Sequence, residues 1–186
     1  PARVALIVPR DDDRLKEMTW GELHAAVETM TSHLRAATTL QRGARVVHAC
    51  DNRLSDVLVW LACLRCDWID CPIDARLPQR VVGDLRQRCR GVWVEPLLET
   101  WGDRQDADAN QPDPTPSPTD APALMLWTSG TTVEPKGVVL SHQALVSNAF
   151  AKLKAVPQSA DDIRLTVLPI CHAYARTCDL GTWLIS

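Results

Sequence analysis

No run of apolar residues in this chain approaches the length of a membrane span; the longest, Val57 to Leu64 and Ala121 to Trp127, fall far short of the ~20 residues a spanning helix needs. A basic footprint is missing too. Twenty lysines and arginines stand against 23 acids, spread along the sequence to a net charge of -3, so neither a nucleic-acid-binding face nor a polybasic membrane patch is expected. Peripheral membrane association and the oligomeric state are left open. There is no initiator methionine, and the apolar stretch Val4 to Val8 runs into Asp11-Asp12-Asp13 without the small-residue cleavage site of a secretion signal. It reads as a strand. The seven cysteines are an odd set with no regular framework, and Cys63-x-x-Cys66 has no second pair at zinc-site spacing. Buried thiols in a reducing cytoplasm are the simpler expectation. No internal repeat is visible. What is present, 46% hydrophobic and 23% charged residues over 186 positions, suits an ordinary globular chain long enough for one sizeable domain.

Hydrophobic periodicity gives a regular rhythm. Thr19-Trp20-Gly21-Glu22 has the S/T-x-x-E form in which two side chains satisfy the free amides of a helix start. Leu23, Val27, Met30 and Leu34 then form one apolar stripe, so a helix is expected to about Ala37. Ala44 to Cys50 reads as a strand, Leu54 to Cys66 as a buried helix, Trp68 to Ile73 as a strand, Gln79 to Cys89 as a helix opened by Pro78, and Gly91 to Glu95 as a strand. This alternation predicts an α/β fold, a doubly wound and mainly parallel sheet with flanking helices. Residues 103–122 carry five prolines and five aspartates and almost nothing large and apolar, which predicts a mobile surface loop between an N-terminal α/β part (1–102) and a final segment (123–186). In that segment Ala123 to Trp127 and Gly137 to Ser141 read as strands and 141–155 as a helix. Arg164 to Leu168 reads as a buried central strand ending at Pro169, and Arg176 to Leu184 as a helix.

Between the two strands of the final segment lies Thr128-Ser129-Gly130-Thr131-Thr132-Val133-Glu134-Pro135-Lys136-Gly137. Glycine lets backbone amides approach an anion, Thr128, Ser129, Thr131 and Thr132 offer hydroxyls, and Lys136 supplies positive charge, so the loop has the chemistry to hold phosphate. A hydroxyl-rich hairpin loop is the bland alternative. The P-loop pattern fails, because neither serine nor threonine follows the lysine. The order of residues, framed by an apolar strand and Val138-Val139-Leu140-Ser141-His142, resembles the phosphate-binding signature of the adenylate-forming superfamily of acyl-CoA synthetases, luciferases and peptide-synthetase adenylation domains. Thr19 to Leu23, Gly43 to Val46, Leu61 to Leu64 and Cys71 to Asp74 fall in the order of that superfamily's N-terminal subdomain. Two positions depart from its pattern: Val133 and Asp67 both stand where glycine is usual, so the loop tip and the turn after Cys66 are expected to be shaped differently or strained.

Leu168-Pro169-Ile170-Cys171-His172-Ala173-Tyr174 resembles the superfamily block beside the acyl pocket, which makes His172 a site candidate against the alternative of a structural hydrogen-bonder. The continuation to Leu180 looks most like long-chain fatty acyl-CoA synthetases. The resemblance implies that a small carboxylic acid attacks ATP to give an acyl-adenylate and pyrophosphate, and that coenzyme A then displaces AMP. It implies that Thr128, Ser129, Gly130, Thr131, Thr132, Lys136 and Gly137 hold the ATP phosphates, that Mg2+ bridges their oxygens with Thr132 as a ligand, and that His172 lies near the carboxylate. Later motifs of the superfamily are not in these 186 residues. The expectation is an incomplete N-terminal piece that is inactive alone, with apolar patches exposed around 165–168. A non-catalytic nucleotide- or acyl-binding remnant and an amino-acid adenylation domain are the competing readings.

Overall fold

The structure is a computed structural model that describes residues 2–9, 14–99, 101, 118–128 and 134–186. Most of the Pro/Asp-rich stretch, and Ser129 to Val133 of the phosphate motif, lie outside the described residues.

The chain enters through an antiparallel hairpin of β1 (Val4–Pro9) and β2 (Leu15–Thr19). Strand β2 went unread in the sequence because only Met18 of its five residues is buried, which leaves no apolar alternation to see. Thr19 then caps α1 (Trp20–Ala37) as its spacing predicts: its Oγ1 accepts from the Glu22 amide at 3.2 Å while Glu22 Oε2 accepts from the Thr19 amide at 2.7 Å. The predicted stripe of Leu23, Val27, Met30 and Leu34 is the buried face.

Next come β3 (Arg45–Cys50), α2 (Leu54–Cys66), β4 (Ile69–Asp74), α3 (Gln79–Cys89), the two-residue β5 (Val92–Trp93), the short α4 (Glu95–Glu99), β6 (Pro122–Thr128), β7 (Lys136–Ser141) and α5 (His142–Ala155). The sheet order is β5-β3-β4-β6-β7; the first four strands run parallel and β7 returns antiparallel on β6. Neighbouring residues of β3 point to opposite faces. Val46 packs with Leu58, Val59 and Met30 under α1 and α2, whereas Val47 packs with Val82, Leu85 and Cys89 under α3. Helices on both faces of a mainly parallel sheet are the doubly wound arrangement.

Asp67 adopts the left-handed conformation (φ 56°, ψ 31°) that glycine takes at a helix C-terminus, and its amide closes α2 on the Cys63 carbonyl. Aspartate tolerates this region better than most side chains. Its carboxylate is used as well, meeting Arg42 and lying 3.9 Å from His142 Nε2. The turn is thus rebuilt around a charged contact. Gly91, just before β5, is a different case. A Cβ there would fall 2.6 Å from the Arg45 carbonyl oxygen and 2.7 Å from Val47 Cγ2, both on the rigid strand β3. Gly91→Ala should therefore destabilise the fold by about 1–3 kcal/mol through overpacking, read as a lowered urea midpoint with an unchanged m-value.

Two expectations need correction. Arg164 to Leu168 forms no strand: Leu165 and Val167 are 83% and 71% exposed, and the segment joins no ladder among the described residues. Apolar alternation makes a strand only where a neighbour supplies hydrogen bonds. Here Arg164 instead folds onto the C-terminal segment, donating to the carbonyls of Cys178 and Asp179, the latter at 2.8 Å. The helix expected over Arg176 to Leu184 is a π-helix, Ala175–Gly181, followed by the short α6 (Thr182–Ile185). This C-terminal part packs Ile170, Cys171, Ala175 and Leu180 against Cys50, Val57 and Trp60, at the ends of β3 and α2. All seven cysteines are free thiols, and six are buried.

Candidate functional site

In a parallel sheet the C-terminal ends of the strands share one edge, the usual place for ligands in open α/β folds. Strand β6 ends there at Thr128, and β7 begins opposite it: Thr128 pairs with Lys136 and Trp127 with Gly137, and Thr128 Oγ1 donates to the Lys136 carbonyl at 3.3 Å. The apolar run Ala123 to Leu126 buries the stem of this hairpin, while Thr128, Lys136 and Gly137 are exposed at its mouth. Arg88 of α3 braces the returning arm. Its Nη2 donates to the Pro135 carbonyl at 2.7 Å, and its guanidinium lies 5.1 Å from the Trp127 ring centre, a cation–π contact.

Strand β4, adjacent to β6, ends on the same edge at Asp74. Arg76 grips both carboxylate oxygens at 2.8 and 2.6 Å and also donates its amide at 3.0 Å. These bonds hold the Asp74 carboxyl below the ordinary carboxylate range against a smaller opposing effect of burial. His172 comes to this pair from the C-terminal segment, with Nε2 3.7 Å from Asp74 Oδ2 and its ring half exposed. Asp74, Cys171 and His172 offer three ligand atoms within 4.8 Å of one another. Because Arg76 already occupies both oxygens of Asp74, the group is built as an ion-pair cluster rather than a metal cage.

Two devices fix the backbone around His172, one exposed and one buried. Asn52 brackets the segment before it, donating from Nδ2 to the Leu168 carbonyl and accepting the Ile170 amide at Oδ1, each at 2.9 Å. Behind it runs a chain of buried charges. Arg176 Nε donates to the Ile170 carbonyl at 2.8 Å, and its Nη1 lies 3.1 Å from Asp70 Oδ2. That second contact is an ion pair whose angle falls short of a hydrogen bond, so Nη1 and Nη2 have no hydrogen-bond acceptor. Asp70 Oδ1 in turn meets His48 Nε2 at 3.0 Å, and His48 Nδ1 stands 3.5 Å from Asp56 Oδ1. Asp56 Oδ2 accepts the amides of Asp51 and Arg53 at 2.9 and 2.8 Å, capping α2. The side chains of His48, Asp56, Asp70 and Arg176 have no solvent exposure. Burial alone would lower the His48 pKa, but the two carboxylates outweigh it and push it up to about 9, so the imidazole is cationic at neutral pH.

The AMP-binding enzyme family matches over residues 1–186. The chain belongs to that family of adenylate-forming enzymes. It is 39% identical over 72 residues to long-chain-fatty-acid–CoA ligase 1 of Cavia porcellus, a match covering 37% of this chain and 10% of the relative. Against the indoleacetate–CoA ligase of Aromatoleum aromaticum it is 44% identical over 82 residues, covering 43% of this chain and 15% of the relative. Among solved structures, O-succinylbenzoate coenzyme A synthetase of Bacillus subtilis in complex with AMP superposes with a TM-score of 0.81 at 20% identity, covering all of this chain and 51% of the other. The chain thus spans about half the length of that solved relative, and the curated matches cover far less of theirs.

In this chain the structure brings Thr128 and Lys136 together, with Gly137 beside them across from Trp127. Ser129, Gly130, Thr131 and Thr132 lie outside the described residues. His172 sits on the same sheet edge, one strand away, and among the described residues neither a hydrogen bond nor an ion pair joins it to the hairpin. Asp74, Arg76, Arg88, Asn52 and Arg176 were not foreseen as site residues. Asp74 and Arg176 carried a visible signal, Asp74 as the last residue of the block Cys71-Pro72-Ile73-Asp74 and Arg176 within the run to Leu180. Among the described residues no helix is long and apolar enough to cross a membrane.

Proposed function

We propose that the protein containing this chain activates a fatty acid with ATP and passes the acyl group to coenzyme A, in the cytoplasm. The observation that carries this reading is the shared sheet edge: an exposed lysine and threonine at a hairpin mouth on β6 and β7, and a histidine–carboxylate pair at the end of the neighbouring β4. An anion held at the hairpin and a carboxylate near His172 would approach each other from adjacent strands. Placement and charge neutralisation are most of what this chemistry needs.

In the first half-reaction a carboxylate oxygen attacks the α-phosphorus of ATP, the bond to the bridging oxygen breaks, and pyrophosphate leaves. In the second the coenzyme A thiol attacks the acyl carbon and AMP leaves. Lys136 and the Thr128 hydroxyl would hold the β- and γ-phosphates, and His172, beside Asp74, would hold the carboxylate. The exposed Lys136 ammonium fits an anionic ligand. Thr132 would hold Mg2+, on the strength of the motif alone, and the ion would supply positive charge to neutralise the phosphates. Preference for a fatty acid rests on the run from Leu168 to Leu180 and on the likeness to long-chain fatty acid ligases.

The test is acid-dependent exchange of labelled pyrophosphate into ATP by the full-length protein, with fatty acids of graded length beside indoleacetate and sulfoacetate. Exchange with a fatty acid, followed by release of acyl-CoA, is the expected result. Exchange with only the other acids would move the substrate class, and ATP binding without exchange for any acid would make the protein a non-catalytic binder. The isolated 186 residues are expected to give no exchange.

A further inference from the structure

We propose that Arg176 is a positioning residue: through its buried pairing with Asp70 it ties the His172 segment to the same sheet that carries the phosphate hairpin, and so sets the distance between the two halves of the site. The inference rests on the reading of the site given above and adds to it a residue that touches no reactant.

Four contacts make the tie. Arg176 Nε donates to the Ile170 carbonyl at 2.8 Å, and its backbone amide donates to the His172 carbonyl at 3.0 Å, so one residue holds the chain on both sides of Cys171. Its guanidinium reaches Asp70 at 3.1 Å and lies 5.3 Å from the centre of the Trp60 ring. Asp70 is not at the edge of the sheet. It sits near the start of β4, paired directly with Leu124 of β6, four residues before Thr128. Movement of Asp70 relative to the hairpin would require breaking the β4–β6 ladder.

Asp70 and Asp74 lie four apart on β4 and meet Arg176 and His172, which lie four apart on the C-terminal segment. The segment is thereby held at two points along one strand. The outer point, His172 with Asp74, is half exposed and spaced at 3.7 Å, too long for a hydrogen bond. The inner point is fully buried. A fixed geometry for the half-exposed imidazole must therefore come from the inner point, with Asn52 steadying the approach through Leu168 and Ile170. An active group held on a loop rather than on a strand needs such support, because a misplacement of about 1 Å can cost a hundredfold in rate.

The test uses three variants of the full-length protein: Arg176→Met, Arg176→Lys, and the charge-balanced Asp70→Asn/Arg176→Met, which leaves no unpaired buried carboxylate if the first folds poorly. In Arg176→Met the kcat of acid-dependent pyrophosphate exchange, per folded molecule, should fall by about tenfold to a hundredfold, with KM for ATP within about twofold of the parent because the hairpin is untouched. Arg176→Lys should recover part of the loss, since its ammonium keeps the charge toward Asp70 but not the Nε donor to Ile170. The double variant should fold and stay slow. In parallel, hydrogen exchange should show loss of protection at the Ile170 and His172 amides while α2 and β4 keep theirs.

A lowered melting temperature with parental kcat in the folded fraction would overturn the proposal, as would full activity in the double variant. Failure of the parent protein to exchange pyrophosphate would sink the functional reading instead. The amide protection pattern would still decide whether Arg176 positions the segment.

Discussion

Raising the pH from about 6.5 to about 9 should remove on the order of 3 kcal/mol of folding stability through one buried imidazole. His48 is fully buried between Asp56 and Asp70, and although burial favours its neutral form, the carboxylates win and raise its pKa from 6.5 to about 9. The folded state therefore binds the proton more tightly than the unfolded state. Below about 6.5 both states are protonated and the full contribution is present. Between the two values the unfolded chain releases its proton while the folded chain keeps it, and stability falls by about 1.4 kcal/mol per pH unit. Above about 9 the contribution is gone. Asp56 works in the opposite sense: burial opposes its ionisation, but His48 and the Asp51 and Arg53 amides hold its pKa below the usual carboxylate value, so its contribution is lost toward acid pH. Arg53 faces Asp56 and Arg176 faces Asp70 as the other cations of the cluster. Urea midpoints taken across the interval should fall steadily. His48→Phe should be less stable at pH 7 by about 3–5 kcal/mol, because it leaves buried carboxylates without their shared cation, and its midpoint should hardly change over the same interval. A parental midpoint that stays level from 6.5 to 9 would mean that His48 is neutral in the fold.

That network also marks the limit of what the sequence discloses. Helix α1 was legible to its last residue because the capping box and the apolar stripe are local, carried within 19 consecutive positions. The hairpin mouth was legible because Thr128 and Lys136 flank one short motif. His48, Asp56, Asp70 and Arg176 come from a strand, a helix, a second strand and a π-helix, and their pairing is written only in the fold. Their one local sign is an ionisable residue inside an apolar run, His48 after Val46-Val47 and Asp70 between Ile69 and Cys71. Such a residue, if the run is buried, needs a partner of opposite charge. Reading Arg164 to Leu168 as a strand failed for the complementary reason, since its apolar alternation is plain but a strand depends on a neighbour that local pattern cannot supply. Arg76 escaped notice because its role is defined by Asp74, two residues away, and Arg88 because its partners Pro135 and Trp127 lie in another element.

Lys136→Ala in the full-length protein should lower kcat/KM for ATP by about tenfold to a hundredfold while leaving the affinity for AMP nearly unchanged. The side chain is exposed at the hairpin mouth and makes no ion pair among the described residues, so its ammonium is free to meet an anion and its removal should alter stability by no more than about 0.5 kcal/mol. A charge-assisted contact to phosphate is worth about 1.5–3 kcal/mol, which converts to the stated loss. Lys136→Arg should fall between the two, because a guanidinium keeps the charge but projects a planar fork where a compact ammonium stood. AMP separates the roles. It lacks the β- and γ-phosphates that the hairpin is proposed to hold, so an equal loss of AMP and ATP affinity would place Lys136 on the α-phosphate and overturn this division of the loop. Added salt should narrow the gap between parent and variant in ATP binding, since an exposed ammonium is screened over about 8 Å at physiological ionic strength. A gap that persists unchanged in high salt would mean that the contact between Lys136 and the phosphates is shielded from counterions.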